Sequence, residues 1–143
     1  MYRFLECKVG QYMTREVVSV TREMTLRELG ALFAERDFNA FPVVANGHMV
    51  GIVTKFDFLK AFAFTTRQMV PNYDELMSGT VGEVMTEAVV DVQPDAPLTR
   101  ALQLMVNLKA RSFPVSERDG RLVGMISRED IMRALEASVQ QGK

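Results

Sequence analysis

The fold is decided by the stretch Phe41-Pro42-Val43-Val44-Ala45-Asn46-Gly47-His48-Met49-Val50-Gly51-Ile52-Val53-Thr54-Lys55-Phe56-Asp57. Its centre, Asn46-Gly47, is the strongest short signal for a tight hairpin, because a type I′ turn needs positive φ at both central residues. The flanking segments are rich in β-branched residues, which strands favour. Thr54 then precedes Asp57 by three positions, the spacing of a capping box. The stretch therefore predicts a hairpin that leads directly into a helix.

This stretch occurs a second time, as Phe113-Pro114-Val115-Ser116-Glu117-Arg118-Asp119-Gly120-Arg121-Leu122-Val123-Gly124-Met125-Ile126-Ser127-Arg128-Glu129-Asp130. Upstream, Val9-Gly10-Gln11-Tyr12-Met13-Thr14 is matched by Val81-Gly82-Glu83-Val84-Met85-Thr86. The register holds throughout, apart from one inserted residue, Asp119, at the second hairpin tip, where an insertion is well tolerated. We therefore divide the chain into repeat one (residues 9–62), a connecting segment (63–80) and repeat two (81–135).

The residue pattern of each repeat predicts a strand, a helix, two further strands and a second helix, in that order. The first strands are expected at residues 17–20 and 89–92, and a Tyr73 to Met77 helical turn is expected in the connecting segment. The helices that follow the first strands carry apolar stripes at helical spacing, formed by Leu26, Leu29, Leu32 and Phe33 and by Leu98, Ala101, Leu102, Met105 and Leu108. Neither half has enough strands to close a core alone, so we expect the two repeats to pack together. The tail after Leu135 is expected to fray.

Bulk properties indicate a cytoplasmic globular protein. Apolar residues make up 48% and charged residues 24% of the 143 residues, with a net charge of −1. This balance favours neither a nucleic-acid partner nor a membrane surface. The single cysteine, Cys7, excludes an internal disulfide and fits a reducing compartment. No apolar run is long enough for a membrane span, and the first residues make a poor signal peptide.

Taken together, the duplicated Met-Thr, Phe-Pro-Val and Val-Gly motifs and the hydroxyl-x-x-Asp endings resemble the tandem cystathionine β-synthase (CBS) domain pair. The resemblance implies an α/β (α+β) fold of two pseudo-symmetric βαββα repeats packed sheet to sheet, with two clefts between them. It also implies a stand-alone regulatory module that binds AMP, ADP, ATP or a related adenosine compound in those clefts and signals to an unidentified effector protein. The nucleotide would be a regulatory ligand, and no cofactor is expected.

The main candidate ligand residues are the two capping pairs, Thr54 with Asp57 and Ser127 with Asp130. Spacing alone favours a purely structural reading, in which the side chains satisfy free backbone N–H groups at a helix start. The functional reading is compatible with it, because a capped helix N-terminus that faces a cleft attracts anions. The CBS resemblance implies that the hydroxyl residue and the aspartate line the nucleotide cleft, with the aspartate taking the ribose.

Basic and apolar residues complete the candidate site. Lys55 and Arg128 follow the hydroxyl residues, and Arg111 stands where repeat one has Asn39. Each of these three residues is either a phosphate contact or a solvated charge. Because two of them, Arg111 and Arg128, belong to repeat two, that repeat is the more basic one. The valines of the predicted first strands are Val18, Val20, Val90 and Val92. Valines at such positions are usually core residues, although the CBS resemblance places the adenine near this strand.

No residue set points to an enzyme or a metal site. His48 is the only histidine and has no acid or nucleophile at motif spacing, and Cys7 has no CxxC partner. P-loop and G-x-S-x-G motifs are also missing from the sequence. The alternatives to a nucleotide sensor are a ligand-free assembly module with the same fold and, at lower weight, an enzyme.

A homodimer is expected from the helices that close the repeats. Ile131, Met132, Leu135 and Val139 form one narrow stripe in repeat two, enough for a single buried face. In repeat one a core face is already filled by Phe58, Leu59, Phe62 and Ala63. Two further aromatic residues, Phe56 and Phe64, project beyond that face. Exposed aromatic surface of this kind marks an interface, unless the connecting segment folds over it.

Overall fold

The computed structural model describes residues 2–63, 72–87 and 90–141. The helices are α1 (Tyr2–Glu6), α2 (Val9–Tyr12), α3 (Leu26–Glu35), α4 (Lys55–Lys60), α5 (Tyr73–Met77), α6 (Val81–Val84), α7 (Leu98–Leu108) and α8 (Arg128–Gln141). The strands are β1 (Ala40–Ala45), β2 (His48–Thr54), β3 (Ser112–Ser116) and β4 (Leu122–Ser127). The fold is therefore α+β with two small sheets, as predicted, and the expected turn at Tyr73–Met77 is a helix.

Both predicted hairpins are present. β1 pairs antiparallel with β2, and β3 pairs antiparallel with β4. Asn46 and Gly47 have φ of 55° and 80°, the left-handed conformation that the Asn-Gly turn requires. Each hairpin runs straight into a helix, since Thr54 ends β2 one residue before α4 and Ser127 ends β4 one residue before α8.

The predicted first strand of each repeat is reduced to a single bridge. Val20 donates to the Pro42 carbonyl and accepts from Val44 N–H, both at 2.9 Å, in a parallel bridge to β1. Val92 forms the matching bridge to β3. The predicted strand over residues 17–20 was too long, because Val20 is the one residue of that segment that pairs with β1. Val89, the first residue of the other predicted strand, lies outside the described residues.

Helix burial follows the predicted stripes in part. α3 begins with the predicted Thr25–Glu28 capping box and buries Leu26 and Leu29. Leu108, at the C-terminal end of α7, is exposed and not part of the core. Four further residues of the predicted faces are exposed: Leu59, Ala63, Met132 and Val139. In α8 the buried face is Ile131, Ala134 and Ser138, and the helix continues to Gln141 where fraying was expected.

The chain forms two compact units, residues 1–17 with 90–143 and residues 18–89. In the first unit Thr14 exchanges two backbone hydrogen bonds with Met125 of β4, at 2.8 and 2.9 Å. In the second, Thr86 makes the equivalent pair with Ile52 of β2, at 2.8 and 2.9 Å. Each Met-Thr motif therefore packs on the hairpin of the other sequence repeat. Because of this exchange, the two compact units do not coincide with the two sequence repeats.

The exchange explains why the Val-Gly motif recurs. A Cβ on Gly51 would lie 2.6 Å from the Thr86 carbonyl oxygen, and a Cβ on Gly124 would lie 2.8 Å from the Thr14 carbonyl oxygen. Real Cβ atoms do not approach that closely, so only glycine lets the crossing segment reach the strand. One core centres on Phe113, Val115 and Ile126, and the other on Phe41, Val43 and Val53.

Candidate functional site

The first candidate site lies at the start of α4, in the unit of residues 18–89. Thr54 N–H donates to Asp57 Oδ2 at 3.0 Å, and Asp57 N–H donates to Thr54 Oγ1 at 3.0 Å. This reciprocal pair is the capping box that the sequence predicts. Lys55 N–H donates to the Asn39 carbonyl at 2.9 Å, which fixes the helix start beside the beginning of β1. The Asp57 carboxylate is thereby held at a defined position, with only 4% of the residue exposed.

The second candidate site repeats this geometry at the start of α8. Ser127 N–H donates to Asp130 Oδ2 at 2.9 Å, and Asp130 N–H donates to Ser127 Oγ at 3.3 Å. Asp130 is also 4% exposed. The predicted structural role of both hydroxyl–aspartate pairs is confirmed by these bonds.

Each capped aspartate has a basic partner that the sequence reasoning missed. Lys60 Nζ lies 3.0 Å from Asp57 Oδ1, and Arg133 Nη2 is bonded to Asp130 Oδ1. Arg133 Nη2 also donates to the Tyr12 carbonyl at 3.3 Å. The signal was available in the sequence, because a base three residues after an acid lies on the same helical face. Both buried carboxylates therefore carry an ion pair as well as a cap.

The predicted phosphate-binding residues gather around the start of α8. Arg128 N–H donates to the Arg111 carbonyl at 3.0 Å, and Arg128 Nε donates to the Ala110 carbonyl at 3.0 Å. Both arginines are exposed. Lys55, at the start of α4, is partly buried and has Asn39 as its neighbour instead of an arginine. The structure thus joins the backbones of two predicted basic residues at the start of α8, whereas the start of α4 has Lys55 beside Asn39.

The four predicted valines divide into two kinds. Val20 and Val92 are buried in the bridges to β1 and β3, so their side chains belong to the two cores. Val18 is partly buried and Val90 is exposed. Val18 and Val90 are therefore the pair whose side chains remain accessible.

The other polar candidates, His48 and Cys7, contact nearby backbone carbonyl groups. Across residues 2–63, 72–87 and 90–141 no group of three or more His, Cys, Asp or Glu side chains is placed to hold a metal ion. His48 is exposed, with its Nδ1 3.1 Å from the Asn46 carbonyl oxygen. The Cys7 thiol donates to the Arg3 carbonyl. Among the helices in these ranges, none is long and apolar enough to cross a membrane.

A separate open cavity of about 470 Å³ lies at the tip of the second hairpin. It is lined by Gln93, Pro94, Asp95, Glu117, Arg118, Asp119 and Arg121. Arg118 donates to Gln93 Oε1 at 3.3 Å and lies 3.7 Å from Asp95 Oδ2, so its charge is already partnered. The cavity contains none of the predicted site residues, and its mixed charges select no class of ligand.

Comparison with known proteins assigns the family. The CBS domain family matches residues 9–64 and 81–137, so the chain belongs to the CBS domain family with two copies of the domain. A 17.7 kDa protein of Acidianus ambivalens is 31% identical, over 90% of this chain and 73% of its own length. Several other curated relatives are longer, and the chain spans 24% to 46% of their length.

Solved structures agree with this assignment. A putative acetoin utilization protein (AcuB) from Vibrio cholerae superposes with a TM-score of 0.80 at 27% identity, covering 95% of each chain. The structure of CBSX2 superposes with a TM-score of 0.77 at 24% identity, covering 95% of this chain and 98% of that chain. At that identity the likeness to CBSX2 shows the shared fold.

Proposed function

We propose that this chain is a regulatory module that binds an adenosine nucleotide through Asp57 and Asp130. The observation that carries the proposal is the pair of buried, capped carboxylates, which recurs at the same place in both units. A carboxylate has about four acceptor positions, and each aspartate uses one oxygen for its cap and the other for its ion pair. Acceptor capacity therefore remains for the two hydroxyl groups of a ribose.

The surrounding charges suit the rest of a nucleotide. Arg128 begins α8, where backbone N–H groups and the helix dipole favour an anion, and its N–H donates to the Arg111 carbonyl. Repeat two thus offers two arginines for a phosphate, whereas repeat one has Lys55 at the start of α4 and Asn39 in place of Arg111. The CBSX2 structure was solved in complex with AMP, which supports this ligand class for the fold.

A thermal-shift panel of AMP, ADP, ATP, NAD and S-adenosylmethionine tests the proposal directly. A ligand present at 100 times its Kd adds about 2.7 kcal/mol to the free energy of unfolding. Calorimetry of the Asp57→Ala/Asp130→Ala variant then tests the two carboxylates, and unchanged affinity in that variant would refute the assignment. If the wild-type chain binds none of the five compounds, the alternative of a ligand-free assembly module is favoured.

The capping box of α3 supplies a matched control. Thr25 N–H donates to Glu28 Oε1 and Glu28 N–H to Thr25 Oγ1, both at 3.2 Å, so Glu28→Ala also removes a capping carboxylate. Loss of a cap costs about 1 kcal/mol of stability in either place. We expect Glu28→Ala to lower stability while leaving nucleotide affinity unchanged, which separates loss of the cap from loss of the ligand contact.

We further propose that the chain is a homodimer, acts in the cytoplasm and signals to an effector protein. Phe56 and Leu59 are 69% and 60% exposed on α4, and the Phe56 ring lies under the Lys60 ammonium group at 5.5 Å. Apolar side chains exposed together on one short helix favour an interface. Phe64, the other aromatic residue of the dimer prediction, lies outside the described residues. Sedimentation at micromolar concentration tests the dimer, and a monomer would refute it.

A further inference from the structure

Arg133 connects a candidate ligand residue to a distant helix end. Its Nη2 is bonded to Asp130 Oδ1 and donates to the carbonyl oxygen of Tyr12, 121 residues away in sequence. Tyr12 is the last residue of α2, and the last carbonyls of a helix have no partner within the helix. A cation is favoured at that end of a helix. One guanidinium group therefore contacts both the buried carboxylate and the end of α2.

These contacts close a ring of hydrogen bonds within the unit of residues 1–17 and 90–143. The capped carboxylate accepts from Ser127 N–H at 2.9 Å, at the end of β4. Two residues earlier on β4, Met125 exchanges hydrogen bonds with Thr14 at 2.8 and 2.9 Å. Thr14 lies two residues after Tyr12, whose carbonyl is bonded to Arg133. The carboxylate is thereby linked to residues 9–14 through the strand and through the guanidinium. Because β4 is already held by its pairing with β3, the guanidinium is the route that responds to a ligand on the carboxylate.

The other unit has the strand route and lacks the second one. Thr86 bonds Ile52 at 2.8 and 2.9 Å, as Thr14 bonds Met125. Lys60 replaces Arg133, and its ammonium group bonds Asp57 and lies over the Phe56 ring. The position that corresponds to Tyr12 is Val84, and among the described residues no hydrogen bond joins Lys60 to it. In the described residues, the guanidinium route is therefore found at Asp130 and not at Asp57.

We propose that Arg133 is a positioning residue that couples nucleotide binding at Asp130 to residues 9–14, and that Lys60 leaves Asp57 without this coupling. The inference rests on the proposed nucleotide function. A ribose bonded to the Asp130 carboxylate restrains its rotation, so the guanidinium and the Tyr12 carbonyl are restrained with it. Coupling between two sites is reciprocal, so loosening residues 9–14 weakens nucleotide binding by the same factor.

Hydrogen exchange of the Met13 and Thr14 amides measures the coupling. Met13 N–H is bonded to the Val9 carbonyl and Thr14 N–H to the Met125 carbonyl, both inside the ring. With saturating AMP we expect exchange at these two amides to slow about fivefold or more in the wild-type chain, the lower end of typical coupling. We expect Arg133→Met to abolish this slowing and to weaken AMP binding about tenfold, because the variant loses both the coupling and the ion pair to Asp130.

The residue at the same place in the other repeat supplies the conservative variant. Arg133→Lys reproduces the Lys60–Asp57 ion pair, so we expect AMP affinity to recover in part, to about fivefold below the wild-type chain, while the slowing at Met13 and Thr14 stays absent. Lys60→Arg is the matched control and should leave exchange at these amides as in the wild-type chain. The thermal midpoint of every variant is measured first, so that a folding defect is recognised.

The possible outcomes are distinct. AMP binding with equal slowing in the wild-type chain and Arg133→Lys overturns the coupling and leaves the proposed function intact. AMP binding with no slowing in the wild-type chain overturns it as well. Failure of the wild-type chain to bind any adenosine nucleotide overturns the proposed function, and this inference with it.

Discussion

Replacing Gly51 by alanine tests the exchange of the Met-Thr segments between the two hairpins. A Cβ at this position would lie 2.6 Å from the Thr86 carbonyl oxygen and 3.2 Å from Met85 Sδ. The methionine can move, but the carbonyl accepts a hydrogen bond from Ile52 N–H at 2.9 Å and is part of the crossing backbone. The added methyl group must therefore push the segment away from β2 and weaken both of its hydrogen bonds.

The expected cost follows from this geometry. Overpacking against a backbone that cannot yield costs about 1–3 kcal/mol, and we expect about 2 kcal/mol for Gly51→Ala. In a chain of this length that corresponds to a fall in Tm of about 6–8 °C. Urea unfolding gives the free energy, and a differential scan gives the Tm. We expect Gly124→Ala, 2.8 Å from the Thr14 carbonyl oxygen, to behave in the same way.

Gly82→Ala is the control for a glycine-to-alanine change that meets no close backbone. Its added Cβ would lie 3.4 Å from the Arg22 side chain and carbonyl, an ordinary contact, and Gly82 lies within α6. Alanine is favoured over glycine in a helix by up to about 1 kcal/mol, so we expect unchanged or slightly raised stability. If Gly51→Ala unfolds at the same urea concentration as the wild-type chain, the close crossing of residues 85–86 over β2 is refuted.

Three further predictions concern binding, assembly and chemistry. Asp130→Ala should weaken nucleotide binding about tenfold to a hundredfold in calorimetry, because a hydrogen bond to a charged group contributes about 1.5–3 kcal/mol. Asp57→Ala should weaken binding less, because repeat two has the two arginines. A larger loss of affinity at Asp57 would contradict this ranking. Phe56→Glu introduces the residue that repeat two has at this position, Glu129, and should raise the dimer dissociation constant about tenfold or more in sedimentation. An unchanged dissociation constant would exclude α4 from the interface. ATP incubated with the chain should stay unconverted by chromatography, and sustained conversion that is lost in Asp130→Ala would contradict the absence of catalysis.

The features that the sequence predicted well are those whose causes lie within a few residues. Asn46-Gly47 has few alternatives to a tight turn, because the positive φ that it adopts is costly for most other residues. Thr54 with Asp57 and Ser127 with Asp130 satisfy the free N–H groups of the helices that they start, whatever packs around them. The duplicated motifs also led to the CBS family, which the comparison confirms.

Burial was predicted less well. Apolar periodicity identifies the apolar face of a helix, but it does not show how much of that face the neighbouring elements cover. Leu108 and Met132 fit the spacing of an apolar stripe, yet both are exposed. In α8 the core is contacted by Ala134 and Ser138 instead, two small residues that allow close approach. The burial of Ser138 is made possible by its hydroxyl group, which donates to the Ala134 carbonyl at 2.8 Å.

The sequence by itself therefore determined the hairpins, the capped helices and the duplicated plan, since each follows from local backbone chemistry. Only the tertiary structure decided that the segment containing Thr14 packs on β4 and the segment containing Thr86 on β2. It also decided that Arg133 contacts Tyr12 as well as Asp130. The two Met-Thr segments share four of their six residues, among them Met and Thr, so the motif alone does not specify which hairpin it meets. That choice depends on contacts between residues far apart in the chain, which become defined when the whole core packs.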